Sequence, residues 1–228
     1  MAAHTKIIDL FGIPACGKST LADYLSNGCQ TNLRIGTMQN VAKEVKHNLM
    51  AYICSISFNN LIAILKLRFA APFDKKRRAI SLSKWFLHDV LYNYIKKHSD
   101  YDLVLVDHGI IQSLVTLERG DNLHEKSSFA QASSRYIDII PVTLYVYCQI
   151  EEEVALARMQ NRHRNKGRID MLNDATIQLS ELEMERNRFD FYAEMLNRKQ
   201  KAFIELNMLN ETVKIAEYLL LKINKNNY

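Results

Sequence analysis

Gly12-Ile13-Pro14-Ala15-Cys16-Gly17-Lys18-Ser19 is a complete G-x-x-x-x-G-K-S phosphate loop. Its flanks suit it. Lys6 to Phe11 form an apolar run of strand length, and Ser19 to Leu25 continue with helical spacing. A strand that turns sharply into a helix through two glycines places any bound phosphate at a helix N-terminus, where backbone N–H groups and the helix dipole both favour an anion.

The residue types fit that chemistry. Gly12 and Gly17 let the backbone turn tightly and approach an anion closely, so that the amides of Ala15, Cys16, Gly17, Lys18, Ser19 and Thr20 can converge on phosphate oxygens. Lys18 adds a mobile positive charge for the β- and γ-phosphates. The Ser19 hydroxyl is a hard oxygen ligand suited to Mg²⁺, whose other ligands are then phosphate oxygens and water. ATP and Mg²⁺ are accordingly the expected cofactors.

The chain has 228 residues, 48% of them hydrophobic and 24% charged, which suits one α/β domain spanning 1–228. A formal net charge of +5 is compatible with an anionic small substrate and equally with nucleic acid, so charge does not choose between them. Nothing beyond scattered positive charge argues for nucleic acid. Cys16, Cys29, Cys54 and Cys148 match no zinc or redox spacing, and reduced thiols in a cytoplasmic protein are expected. Cys16 has two readings: a small side chain tolerated in the loop, or a thiolate favoured by Lys18 and the helix start. The amino terminus carries no signal-peptide pattern. Asn48 to Leu65 is free of formal charge, but Ser55, Ser57, Asn59 and Asn60 interrupt it, so a surface or pocket-covering helix is favoured over a membrane span.

Along the chain, Asn32 to Thr37 is a weak strand, Gln39 to about Phe69 is helical, and Lys75 to Ser99 resumes as one or two helices after the break at Pro72. The cluster Lys75-Lys76-Arg77-Arg78 is read as a solvated face, and Trp85, Phe86 and Tyr92 as core. Tyr101 to Asp107 is a near-continuous apolar run ending in a carboxylate, as expected of a buried parallel strand. Asp107 then holds magnesium-bound water at the carboxyl end of the strand or, in the plainer alternative, caps the following turn. Pro141 to Cys148 is a further strand, followed by a helix over 151–160. The segment from Arg158 to Arg168 contains four arginines and a lysine, with Arg158 and Arg162 on one helical face. Arginine suits charge spread over a transferring phosphoryl group, because its fork reaches two oxygens and is always ionised. A long helix over 174–199 has Ile177, Leu182, Phe189, Tyr192 and Leu196 as inward candidates. A last strand over 202–207 precedes a helix with Val213, Ala216, Leu219, Leu220 and Ile223 on one face.

This order of phosphate loop, strand ending in Asp107, arginine-rich segment and terminal strand-loop-helix resembles the nucleotide and nucleoside kinases, especially the thymidylate-kinase-like group. The resemblance implies a P-loop NTPase three-layer αβα sandwich with a mostly parallel sheet of about five strands. It also implies an arginine-rich lid at about 158–172 and an acceptor-binding helical region at about 39–99. By resemblance, Lys18, Asp107, Arg158 and Arg162 are catalytic, Ser19 and Asp107 serve the metal, and Arg158 packs against adenine or meets the donor phosphates. Arg164 and Arg168 join Arg162 around the acceptor and the moving phosphoryl group, and Asn207 to Glu211 match the adenine-contacting loop. One departure stands out: Asp107-His108-Gly109 replaces the family's Asp-Arg pair. His108 cannot fork to a phosphate as arginine does, which weakens thymidylate as the acceptor. The expected activity is ATP-dependent phosphoryl transfer to a small acceptor, a nucleoside monophosphate or a nucleoside. A nucleotide-binding regulator or assembly factor is the alternative. The sequence leaves oligomeric state open, a homodimer among the possibilities.

Overall fold

Ile7, Ile8, Leu10 and Phe11 are all buried, and so is Asp9 between them. A strand buried on both faces needs cover on both, which parallel sheets obtain from crossover helices. The computed structural model describes residues 5–29, 31–47, 54–55, 57–70, 88–118, 127–161, 169–172 and 174–225. Its strands are β1 (Lys6–Phe11), β2 (Ile35–Thr37), β3 (Leu103–Val106), β4 (Leu144–Gln149) and β5 (Phe203–Asn207). They form a five-stranded sheet in the order β2-β3-β1-β4-β5, and the registers of β1 with β3, β2 with β3 and β4 with β5 are parallel. The α/β class expected of the sequence is the one found.

The helices, among the described residues, are α1 (Lys18–Asp23), α2 (Met38–His47), α3 (Phe58–Ala70), α4 over 88–98, α5 (Ile110–Leu117), α6 (Ser128–Ile139), α7 (Glu152–Gln160), α8 (Ala175–Arg198) and α9 (Thr212–Lys225). None of them is long and apolar enough to cross a membrane. The chain divides into two compact units, one of Met1–Asp9 and Gln30–Leu144, the other of Leu10–Cys29 and Tyr145–Tyr228.

In the first unit Leu103, Val104, Leu105 and Val106 are all buried, so β3 has no solvent face. Thr143 clamps β1: its N–H donates to the Ile7 carbonyl at 2.8 Å, and its Oγ1 accepts from the Ile7 N–H at 3.0 Å. Helix α3 packs on α6. Asp89 of α4 lies between them as a buried carboxylate that accepts from Asn60 Nδ2 at 2.7 Å and from the Tyr136 hydroxyl at 3.4 Å. Burial pushes its pKa up to about 6, against the pull of those two donors.

In the second unit an aromatic cluster fills the space beside the strands. Phe11 stacks on Tyr147 with centroids 5.0 Å apart and planes 4° from parallel, and Phe189 of α8 lies 6.1 Å from Phe11. The Tyr147 hydroxyl donates to Asp190 Oδ1 at 2.7 Å, which satisfies its one polar atom within the cluster. Arg186 of α8 pairs with Glu152 and donates to the Ile150 carbonyl, fixing the start of α7.

The helical content expected over 39–69 is carried, among the described residues, by α2 and α3, with a turn at Cys54 and Ser55. Two expectations need correction. Ile177 and Val213, expected inward, are exposed, while Leu182, Phe189, Tyr192, Leu196, Ala216, Leu219 and Ile223 are buried. The region between His108 and Ile140, to which no element was assigned, contains α5 and α6. Residues 71–87, with the basic cluster, Trp85 and Phe86, lie outside the described residues, as do 48–53 of the uncharged stretch.

Phe189→Ala removes a fully buried ring from the cluster. It is expected to destabilise the protein by roughly 3–5 kcal/mol, read as a lowered urea midpoint with an unchanged slope.

Candidate functional site

Beyond β1 the chain enters the phosphate loop through three residues with positive φ: Gly12 at 148°, Ala15 at 62° and Gly17 at 107°. Gly12 also has no room for a side chain. A Cβ built there would stand 2.3 Å from the Cys148 carbonyl oxygen of β4. The first helical bond, from the Leu21 N–H to the Gly17 carbonyl at 2.9 Å, starts α1 directly after the loop. Ser19 and Thr20 are exposed in that first turn.

Lys18 is buried and folded back on the loop. Its Nζ donates to the carbonyls of Gly12 at 2.8 Å and Ile13 at 3.1 Å, and to Cys16 Sγ at 3.3 Å. Cys16 and Cys148 are both fully buried. Hydrogen bonding with the Cys148 thiol holds the Cys16 thiol well below the usual thiol range, helped by the Lys18 ammonium and opposed by burial. The same interaction, with burial, pushes Cys148 up.

Arg158 comes to this loop from the last turn of α7. It donates from Nη1 to the Cys16 carbonyl at 3.3 Å and from Nη2 to the Met208 carbonyl at 3.2 Å, so one guanidinium joins the phosphate loop to the segment after β5. Met208 is held by its own N–H, which donates to the Gln149 carbonyl at 2.8 Å, and Leu209 N–H donates to Asn207 Oδ1 at 2.9 Å. A cavity of about 290 Å³ opens between them, lined by the loop from Ala15 to Gly17, Thr20, Arg158 and the 208–215 segment. All of these residues belong to the second unit.

Asp107 and His108 belong to the first unit, in the turn after β3, where Asp107 is half-buried and His108 exposed. The turn rests on a residue that sequence reasoning did not single out. Asp9 of β1 is wholly buried, and its Oδ2 accepts from the Ile110 N–H at 2.8 Å and from the Tyr92 hydroxyl at 3.4 Å. A Cβ on Gly109 would fall 2.2 Å from Asp9 Oδ1, an oxygen with no hydrogen-bond partner among the described residues. Burial pushes the Asp9 pKa up to about 7, only partly offset by the Ile110 N–H. No local signal marked it, since its partners Tyr92 and Ile110 are distant in the sequence. Arg162, Arg164 and Arg168 lie outside the described residues.

Comparison with solved structures finds deoxyadenosine kinase from M. mycoides in three forms. The form with products dCMP and a flexible dCDP bound has a TM-score of 0.54 at 12% identity, covering 96% of this chain and 98% of that one. With dCTP bound the values are 0.52, 13%, 96% and 98%. With dATP bound they are 0.53, 14%, 96% and 100%. The chain has the fold of these kinase structures. No family model matches it, and comparison with curated proteins gives no match.

Two measurements follow from the geometry. Gly12→Ala drives a methyl into the Cys148 carbonyl at a positive φ and is expected to destabilise the protein by roughly 1–3 kcal/mol, measured by urea titration followed by circular dichroism. Asp9 binds its proton more tightly folded than unfolded, so its contribution to stability is full below pH 4 and is lost as the pH rises through about 7. Urea titrations of wild type should therefore lose up to about 1 kcal/mol per pH unit across that window relative to Asp9→Asn. Asp89 titrates in both proteins and cancels in the difference.

Proposed function

We propose that this protein is an ATP- and Mg²⁺-dependent kinase that transfers the γ-phosphoryl group to a small acceptor, a nucleoside or nucleoside monophosphate. The observation that carries this reading is the cavity on the phosphate loop, walled by Arg158 and the 208–215 segment, because it offers a polyphosphate and its attached base adjoining surfaces. The likeness to deoxyadenosine kinase structures holding dATP, dCTP and dCMP supports a nucleotide-sized ligand. Between the two acceptors, that likeness and the exposed His108 in place of an arginine favour a nucleoside, which brings no phosphate to be gripped.

In this reading the amides of Ala15 to Thr20 hold the donor phosphates, and Lys18 leaves the carbonyls of Gly12 and Ile13 for the β- and γ-phosphates. Arg158 lies along the base and donor phosphates. Arg162, with Arg164 and Arg168, would stabilise the transferring group, as the resemblance implies. Each guanidinium opposes charge that grows on the equatorial oxygens. The donor set suits magnesium: the Ser19 hydroxyl is exposed in the first turn of α1, and among the described residues no cluster of three carboxylates, imidazoles or thiols forms a protein-only cage. Ser19 would hold the ion. When bound, Mg²⁺ supplies positive charge to the β- and γ-oxygens. Asp9 keeps the Asp107-His108 turn in place through Ile110.

The test is turnover with ATP, Mg²⁺ and a panel of nucleosides and nucleoside monophosphates. Lys18→Ala and Arg162→Ala are each expected to lower turnover by roughly 10²-fold or more with unchanged circular dichroism. Near-wild-type turnover in both, or nucleotide-dependent capture of a protein partner without any phosphorylated small molecule, overturns the reading. The second outcome would establish the regulator instead.

A further inference from the structure

Helix α5 begins without a cap of its own. Gly109 stands at its N-cap position, where serine, threonine, asparagine or aspartate supplies a side-chain oxygen to the first free N–H groups, and glycine has none to give. The acceptor comes instead from β1, 101 residues earlier: Asp9 Oδ2 accepts from the Ile110 N–H at 2.8 Å. The same oxygen accepts from the Tyr92 hydroxyl at 3.4 Å, so one carboxyl group ties the strand to both α5 and α4. Asp9 is wholly buried, and its backbone is paired in register with Val106, the last residue of β3. The turn of Asp107, His108 and Gly109 is therefore held at both ends by a single residue, through the strand pairing before it and through the side-chain cap after it. Gly109 lies directly on that carboxyl: a Cβ there would stand 2.2 Å from Asp9 Oδ1 and 2.4 Å from Oδ2. A serine at 109 would cap α5 locally but would leave the turn untied to β1, whereas a carboxyl buried in the central strand gives up its hydration to make that tie. Asp9, Tyr92 and the turn all belong to the first unit, while the residues lining the cavity on the phosphate loop belong to the second.

We propose that Asp9 is a positioning residue for the phosphoryl acceptor: by capping α5 from β1 it fixes the turn on which Asp107 and His108 stand. The proposal rests on the kinase reading and deepens it, since it names what aligns the acceptor side of that reaction. Three substitutions separate the parts of the device. Asp9→Asn keeps the size of the side chain and a carbonyl oxygen for the Ile110 N–H, and asparagine caps helices as well as aspartate does. Asp9→Ala takes that oxygen from both the Ile110 N–H and the Tyr92 hydroxyl, so the turn loses its tie to β1. Gly109→Ala leaves the carboxyl in place and pushes the turn off it from the other side. The last two displace Asp107 and His108 by different routes, and a group moved by a fraction of its own size loses its alignment with a reacting atom.

The full-length wild type and the three variants are compared by steady-state turnover with the nucleoside or nucleoside monophosphate that the wild type phosphorylates, and by isothermal titration with ATP and Mg²⁺. The imidazole proton resonances of His108, identified by their loss in His108→Gln, report the turn itself. Asp9→Asn is expected to keep kcat/KM for the acceptor within about threefold of wild type, with the His108 resonances in place. Asp9→Ala and Gly109→Ala are each expected to lower it at least about tenfold, with ATP affinity unchanged and the His108 resonances shifted. Asp9→Asn as impaired as Asp9→Ala, ATP affinity falling in step with turnover, or unshifted His108 resonances in both Asp9→Ala and Gly109→Ala would overturn the proposal. If Asp9→Ala does not fold, Gly109→Ala decides, because it retains the buried carboxyl and both of its donors. A wild type that phosphorylates no member of the panel overturns the kinase reading instead, and the His108 resonances then judge by themselves whether Asp9 sets the turn.

Discussion

The phosphate loop keeps its course because nothing projects from Gly12. At that point the Cys148 carbonyl occupies the volume that any Cβ would claim, and the backbone runs at a φ that side chains rarely tolerate. Close approach of loop and β4 at Gly12 leaves Cys16 buried and Lys18 bonded to the carbonyls of Gly12 and Ile13 on the inner side of the loop. A single missing side chain thus sets the shape the loop offers to an anion.

The two compact units solve the same problem, a charge held where water cannot reach it, in different ways. In one, Asp9 is protected by burial and kept near neutrality by its raised pKa, while one of its oxygens anchors the start of α5. In the other, the Lys18 ammonium is buried but is surrounded by carbonyl oxygens and a sulfur that can carry negative charge. Burial favours the neutral form of Asp9, which titrates in the range where most assays are run.

Much of the architecture was legible because its signals are local. The phosphate loop carries its strand and helix within some twenty residues, and β3 and β4 are continuous apolar runs that only a covered sheet can use. Helix α6 was missed although Ser127 caps it by accepting from the Ala130 N–H at 3.1 Å, a signal easily lost beside a polar stretch. Ile177 and Val213 fit the helical period but sit at its edge, since spacing gives a stripe and not its width. Asp9 was out of reach for another reason. Its partners Tyr92 and Ile110 are 83 and 101 residues away, and no local pattern announces a carboxylate buried for their sake. The Cys148 contact was hidden in the same way.

The unit that contains the phosphate loop is assembled from Leu10–Cys29 and Tyr145–Tyr228, and the guanidinium of Arg158 bonds to a carbonyl 142 positions earlier. In synthesis the loop precedes its own walls, and a nascent chain that has not yet reached Arg158 and the 208–215 segment carries the phosphate-loop sequence without the finished cavity.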